Sequence, residues 1–433
     1  MKCSAFSKAN RSRAASLSTA GVGWQYRTRQ ALMAGLLSVP GLAAAQLGPE
    51  FVVNSTTAGN QTDPAVAADP AGNFNVAWVG PDGAGTGIFL RRFNADGSPR
   101  GAETRVNPDI AGDQTEPSVA IDGSGRFVVS YTASDADGTG IYARRYAATG
   151  RAIDSRPFRV NVKTAGFQSE SKVAVSSNGS LAVAWRRRQS EEYTFRDEEV
   201  VEYRLYGNNG RALTGDVMVD TSLGEFNDVG NISLARLGNG NFAISYVKCE
   251  CADLFGSSFI KAFDATGTLL GQAFSSRSAE SISASGSGYV LVTGNNFAPE
   301  TAEGNLFATR LDVKGAYVSG NFLVSERPTY GNQGYYPDVV GTPSGQFAVV
   351  AQTFFNNGVR SDDVFGRRYG ADNVALTPYA QLNAPGTRSR NAPRVALGNN
   401  GNGVAVWIDG GVGDHGLDGD AGGIVARRLI FSR

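Results

Sequence analysis

One segment recurs seven times along this chain, and that recurrence restricts the fold more than any composition value does. Residues 104–156 are its cleanest copy: TRVNPDIAGDQTEPSVAIDGSGRFVVSYTASDADGTGIYARRYAATGRAIDSR. A repeat of about 50 residues cannot bury its apolar face alone, so the copies must stack and share a core. Aligning Phe74, Phe127, Leu181, Phe242, Tyr289, Phe347 and Gly403 brings the chain into register. The segments that start there, FNVAW, FVVSY, LAVAW, FAISY, YVLVT, FAVVA and GVAVW, each follow a glycine-containing turn and read as a buried strand, b.

Before each lies a segment of small residues, strand a: PAVAAD, PSVAID, SKVAVS, NISLAR, ESISAS, PDVVGT and PRVALG. Small side chains suit an axis on which strands converge. After strand b and a variable loop comes strand c, as in GIFLRRF, GIYARRY and GIVARRL; a short turn then leads to a looser strand d. The chain opens on a lone d-like segment, EFVVNS, and closes on a strand c with no d of its own. Pairing the two would leave no open edge. The predicted fold is therefore all-β, a seven-bladed β-propeller of four-stranded blades closed by the N-terminal strand on the last blade. A β-solenoid is the weaker alternative, because its coils are shorter than these repeats. With 55 glycines and 18% charged residues, the composition suits short strands and tight turns.

No acid precedes Glu50, while Lys2, Lys8, Arg11, Arg13, Arg27 and Arg29 form a basic leader before the apolar run ALMAGLLSVPGLA. Ala43-Ala44-Ala45 is a small-residue cleavage pattern, so residues 1–45 read as a secretory signal and residues 46–433 as a single exported domain, periplasmic or extracellular. An organellar transit peptide is the lesser reading. Without the leader the acids are in modest excess, which argues against nucleic acid or anionic membrane as partner. No segment is apolar enough to span a bilayer, and a soluble monomer is expected.

In a repeat, a residue present in most copies serves the scaffold, and a departure in one or two copies has the better claim to function. By that test the strand-c basic column (Arg91, Arg144, Arg204, Lys261, Arg367, Arg427) is structural, laid over the strand-b aromatics Trp78, Tyr131, Trp185, Tyr246 and Trp407 or paired with acids of the next blade. The d–a loops repeat G-x-Q-[ST]-[DE] at Gln61/Asp63, Gln114/Glu116 and Gln168/Glu170. Their acids would ring the mouth of the axial channel and lock blade to blade. Were the protein an enzyme, Glu116 and Glu170 would be its catalytic acids. Acidic, glycine-rich b–c loops at Asp82, Asp135 and Asp409, the last running on to Asp414, Asp418 and Asp420, could supply oxygens to calcium, the one cofactor the sequence suggests. None completes a calcium-loop pattern, and Asp-Gly turns account for them without metal.

Blades four to six depart most. Phe297, Tyr330, Tyr335, Tyr336, Phe354, Phe355, Asn356 and Asn357 read as loop residues on the variable d–a/b–c face, where aromatic rings beside amides suit a sugar. Blade three carries the longest b–c segment, WRRRQSEEYTFRDEEVVEY, read as an extended hairpin with cross-strand charge pairs. Cys249 and Cys251 are too few for zinc, and the only histidine, His415, sits in a glycine-rich loop unsuited to a triad.

The strings QTEPSVAIDGSGRFVVSY and DGTGIYARRYAATG resemble the repeats of about 50 residues in large secreted bacterial proteins, some adhesin-like with calcium-binding repeats. That resemblance spans Glu50 to the C-terminus and implies secretion and a β-rich fold, with no catalytic motif. The S-x-D-x-G-x-x-W hairpin of sialidase propellers is absent. A binding or scaffold module for glycan or a protein surface is the first expectation. Next come a polysaccharide hydrolase or lyase on the same face, and a purely structural adhesion repeat.

Overall fold

The computed structural model describes residues 46–433 except 110, 190–197, 224–227, 250–256, 278, 295–304, 326–333, 357–358, 387, 411–415 and 431–433. These residues contain 28 β-strands and no helix. They group into seven units of four antiparallel strands, a to d, at the positions the repeat predicts. Strand b of unit one is Phe74–Pro81, of unit two Phe127–Asp135 and of unit three Leu181–Arg188. Hydrogen bonding gives five four-stranded sheets and one of eight strands. In the larger sheet Gly166 and Phe167 of unit three pair in parallel with Gly138 and Thr139 of unit two. The backbones come so close there that a Cβ on Gly138 would lie 2.6 Å from the Gly166 carbonyl oxygen, so only glycine fits.

Strand b is apolar on both sides because each side meets a different neighbour. Val76 and Trp78 of unit one pack with Val404 and Val406 of unit seven, whereas Ala77 and Val79 pack with Val129 and Tyr131 of unit two. Seven such clusters each bridge two consecutive units, and the first and last units are joined like any other pair. The a strands adjoin in the same circular order, with Arg390–Leu397 of unit seven beside Thr62–Ala68 of unit one. Trp78, Trp185 and Trp407 are among the largest fully buried side chains. Each such ring removed from water contributes about 2–3 kcal/mol.

Unit seven takes its fourth strand from the other end of the chain. Gln46–Val52 pairs antiparallel with Gly423–Ile430, Phe51 opposite Ala426 and Val52 opposite Val425. The strand begins before the predicted EFVVNS and carries a bulge between Leu47 and Glu50. Beyond it the Val53 amide donates to the Ile424 carbonyl at 2.7 Å, and the Asn54 side-chain oxygen accepts from the Ile424 amide at 2.8 Å.

The basic column is structural, but by another route than predicted. Arg91, Arg144, Arg204, Lys261 and Arg427 donate to the carbonyls of Val53, Val106, Val160, Val219 and Leu382, the strand-d ends of the preceding units, at 2.7–2.8 Å. Their rings are not the strand-b aromatics, which sink into the core. Residues i and i+2 of a strand share a face, so Arg91 lies over Phe93, Arg144 over Tyr146 and Arg204 over Tyr206. In unit three the predicted hairpin charge pairs are present: Arg187 lies 3.6 Å from Glu198 and 3.4 Å from Glu202.

Candidate functional site at the axis

Every strand a is interrupted by a bulge at one position, between Thr62 and Ala65 in unit one, Thr115 and Ser118 in unit two, Ser169 and Lys172 in unit three, and so on round to Asn391 and Arg394 in unit seven. The extra residue takes a left-handed backbone: φ is 49° at Asp63, 54° at Glu116, 56° at Glu170, 51° at Asn231, 51° at Tyr336 and 50° at Ala392. Equivalent positions in six units thus form a ring at the d–a end of the axis. The Gln of each motif is buried as a clip. Asn54, Asn107 and Asn161 donate to the side-chain oxygens of Gln61, Gln114 and Gln168.

The ring acids divide by their partners. Glu116 accepts from the Thr132 hydroxyl at 2.8 Å and from the Glu170 amide at 2.7 Å, which ties unit two to unit three. Glu170 accepts from the Ile232 amide of unit four at 3.3 Å and lies 3.4 Å from Arg186. Both are inter-unit locks, the scaffold role expected of a repeated motif. Among the described residues the Asp63 side chain has the Thr62 hydroxyl alone, at 3.5 Å. Surrounding protein, then the Glu116 charge, raises its pKa, although the side chain is open to solvent.

Two residues further along strand a lies a second ring: Ala65, Ser118, Lys172, Ser233, Ser281, Asp338 and Arg394. Where an acceptor stands here, it takes an amide from the next unit: Ser118 from Val173 at 3.2 Å, Ser233 from Ile282 at 3.1 Å, Asp338 from Val395 at 2.9 Å. Lys172 and Arg394 cannot do this and break the pattern. Burial lowers the Lys172 pKa, with Glu170 opposing, and raises that of Asp338, with Arg394 opposing. Lys172 makes no hydrogen bond or ion pair among the described residues. Below this ring runs an open cavity of 570 Å³ lined by the a strands of all seven units.

The predicted site residues fare unevenly. Tyr336 is exposed and stands in the same ring as Glu116 and Glu170, so part of the aromatic arc and the acid ring are one site. It is a strand residue rather than a loop residue, since Gly334–Gly341 is strand a of unit six. Tyr335 belongs to the same strand, while Phe354, Phe355 and Asn356 extend strand b, with Phe355 opposite Arg360 and Asn356 opposite Val359. The hairpin runs on past the apolar segment, which corrects their placement as loop residues. Phe297, Tyr330 and Asn357 lie outside the described residues, as do Asp414, His415 and Cys251. Asp418 and Asp420 act as acceptors across the ring closure: Asp418 takes the Asn54 side-chain amide at 3.0 Å and Asp420 the Gly59 amide at 2.9 Å. Asp82 and Asp135 face Arg105 and Arg159, and Asp409 faces Arg388 and Arg390. The charged second ring was missed; its signal was the one charged residue in SKVAVS, PDVVGT and PRVALG.

Among known structures the class is that of all-β propeller proteins. No protein-family model matches the chain, and no curated protein matches it in sequence. A protein of unknown function from Dyadobacter fermentans is similar over 91% of this chain and 100% of its own, at 8% identity and a TM-score of 0.52. An ulvan lyase, a polysaccharide lyase bound to -[GlcA(1-4)Rha3S]-, is similar over 84% of this chain and 93% of its own, at 12% identity and a TM-score of 0.50. At these identities the likeness is one of fold.

Proposed function

We propose that the chain is a seven-bladed β-propeller that acts on polysaccharide at the d–a/b–c end of its axis, cleaving a glycosidic linkage by hydrolysis or elimination. One observation carries this reading: three charged residues depart from the repeat together at one level of strand a, where the axis opens. Lys172, Asp338 and Arg394 replace serine and alanine beneath a ring that presents Asp63 and Tyr336. Asp63 is the ring acid not committed to a neighbouring unit, and burial, with the Glu116 charge, raises its pKa, the direction that favours a general acid. Arg394, which bears on the Asp63 charge, is assigned to a substrate hydroxyl or carboxylate, and the exposed Tyr336 ring to stacking on a sugar face. The likeness to a carbohydrate-acting lyase at the level of fold agrees with this assignment.

A panel of neutral and uronate-containing polysaccharides, assayed for new reducing ends and for unsaturated sugars, tests it. Turnover should fall roughly a hundredfold in Asp63→Asn. Tyr336→Ala should mainly raise KM. A second reading, the non-catalytic glycan module, is favoured by the locking of Glu116 and Glu170, which removes an obvious hydrolytic pair. Saturable glycan binding without product on every polymer would establish that reading and overturn the catalytic one.

A further inference from the structure

Aromatic rings recur at three positions of the interfaces between units: a strand-d residue of one unit, and the first b residue and its strand-c partner in the next. Between units seven and one these are Phe51, Phe74 and Phe93, with the Phe93 centroid 5.6 Å from Phe51 and 5.0 Å from Phe74. Between units five and six they are Phe322, Phe347 and Tyr369, with centroids 4.7–6.2 Å apart. Backbone pairing fixes the equivalence. Phe51 lies opposite Ala426 and Phe322 opposite Ala308, while Phe74 faces Phe93 and Phe347 faces Tyr369. The other interfaces keep at least one of the three rings, as Phe127 and Tyr146, Phe158 and Tyr206, Phe242 and Phe263, or Tyr289.

The interface of units six and seven has none of them. Its three positions are Ala380, opposite Gly366, and Gly403, opposite Leu429. Gly366 is itself the smallest residue of its column, which holds Ala, Leu, Ile or Tyr in the other units. Leu397 closes over Gly403, where an added Cβ would lie 2.5 Å from Leu397 Cδ2. The rest of the missing volume stays open as a pocket of 230 Å³, with Leu47, Val350, Gly366, Ala380, Leu382 and Leu429 in its wall. The wall's polar groups bond to one another: the Thr377 hydroxyl accepts from the Arg368 amide at 3.0 Å, and the Thr377 carbonyl from Arg367 Nε at 3.1 Å. Pro378, also in the wall, is exposed, which gives a solute a way in.

Protein interiors are close-packed, and side chains that line an unfilled space forfeit dispersion contacts with the atoms missing from it. Water restores few of these where the wall is apolar. An apolar cavity of about 150 Å³ is already large enough to take up benzene. The pocket exceeds that size, and it stands where the repeat elsewhere places side-chain rings. By the test applied to the sequence, this departure of one interface from the other six has a claim to function.

We propose that the pocket between units six and seven binds a small uncharged aromatic molecule, whose ring lies between Ala380 and Leu429 in the place of the absent side-chain rings. A sugar does not suit this wall, because its hydroxyls would be buried without partners. The pocket shares no lining residue with the axial cavity, so the site does not depend on polymer cleavage at the mouth.

Fluorine NMR titration of the full chain with fluorobenzene, and thermal melts with and without it, test the proposal. Wild type should bind saturably and melt at a higher temperature with the ligand. Leu429→Phe restores the ring that units one and four carry as Phe93 and Phe263, and Ala380→Phe the one that units two and five carry as Phe158 and Phe322. Each should fill the pocket and weaken binding roughly tenfold or more. If one filled variant does not fold, the other gives the same reading. Tyr336→Ala should keep the wild-type affinity. Loss of binding there, with none in the filled variants, would place the ring at the mouth and overturn the proposal. Absence of saturable binding, or equal affinity in wild type and both filled variants, overturns it as well. A protein that cleaves polymer yet does not bind fluorobenzene would refute this pocket and leave the mouth assignment standing.

Discussion

Lys172 shows the conflict between fold and function at the scale of one residue. Its position asks for a hydroxyl that accepts the next unit's amide; it presents instead a cation whose charge burial disfavours. Replacing an inadequately paired buried charge by a side chain of similar volume is often stabilising. Lys172→Met should therefore raise stability by about 1 kcal/mol near neutral pH, measured by denaturant midpoint. The pH dependence has a definite sign. The lowered Lys172 pKa means its contribution is present above the unfolded lysine value, about 10.4, and is lost as pH falls through the native value, so wild type should gain on Lys172→Met as pH rises from 7 toward that range. Asp338 behaves oppositely. Its raised pKa gives stability that is present below the unfolded value, about 3.9, and lost as pH rises through the native one. Acidification should therefore favour wild type over Asp338→Asn. Parallel pH profiles for wild type and variant would contradict either assignment.

At the scale of the element, strands b and c were readable because apolar residues recur with a fixed spacing from a glycine turn, as in GSGRFVVSY. The bulge in strand a was not readable. Asp63, Glu116 and Glu170 sit there with a left-handed backbone, and the bonds from Glu116 and Glu170 to the next unit offset its cost at those two positions. For the same reason Glu116 and Glu170, the acids that drew attention in the sequence, are inter-unit locks, while Lys172 and Arg394 are hidden inside small-residue strands. Phe354 to Asn356 looked like loop residues because hydrophobic alternation lapses there; backbone pairing continues without it. The role of Glu116 is open to measurement. Glu116→Ala leaves the Thr132 hydroxyl and the Glu170 amide without their acceptor and should cost about 2 kcal/mol, read from thermal or chemical unfolding. A change within about 0.5 kcal/mol would mean the lock is replaced by water.

At the scale of the molecule, the seven interfaces are alike, and the one between last and first units is closed by strand pairing rather than by a covalent turn. Gln46 lies opposite Ile430, so residues 431–433 could serve as an ordinary c–d turn if joined to Gln46. A permutant opened in the exposed segment around Ala58, with residues 46–57 following 433, should fold with a melting temperature within a few degrees of wild type. Failure to fold would show that the closure depends on more than the pairing seen between Gln46 and Ile430.

The same closure sets an order of events. The strand that finishes the last unit is the first described part of the chain to be made, and it has no partner until strand c of unit seven exists. Until then both ends of the growing stack present unpaired strand edges, the surface on which chains join one another. A copy that stops short of Gly423–Ile430 can never cover its own opening strand. Closure of the ring thus waits on synthesis of Gly423–Ile430, and a product truncated before that strand is marked by the edge it leaves exposed to proteases and chaperones.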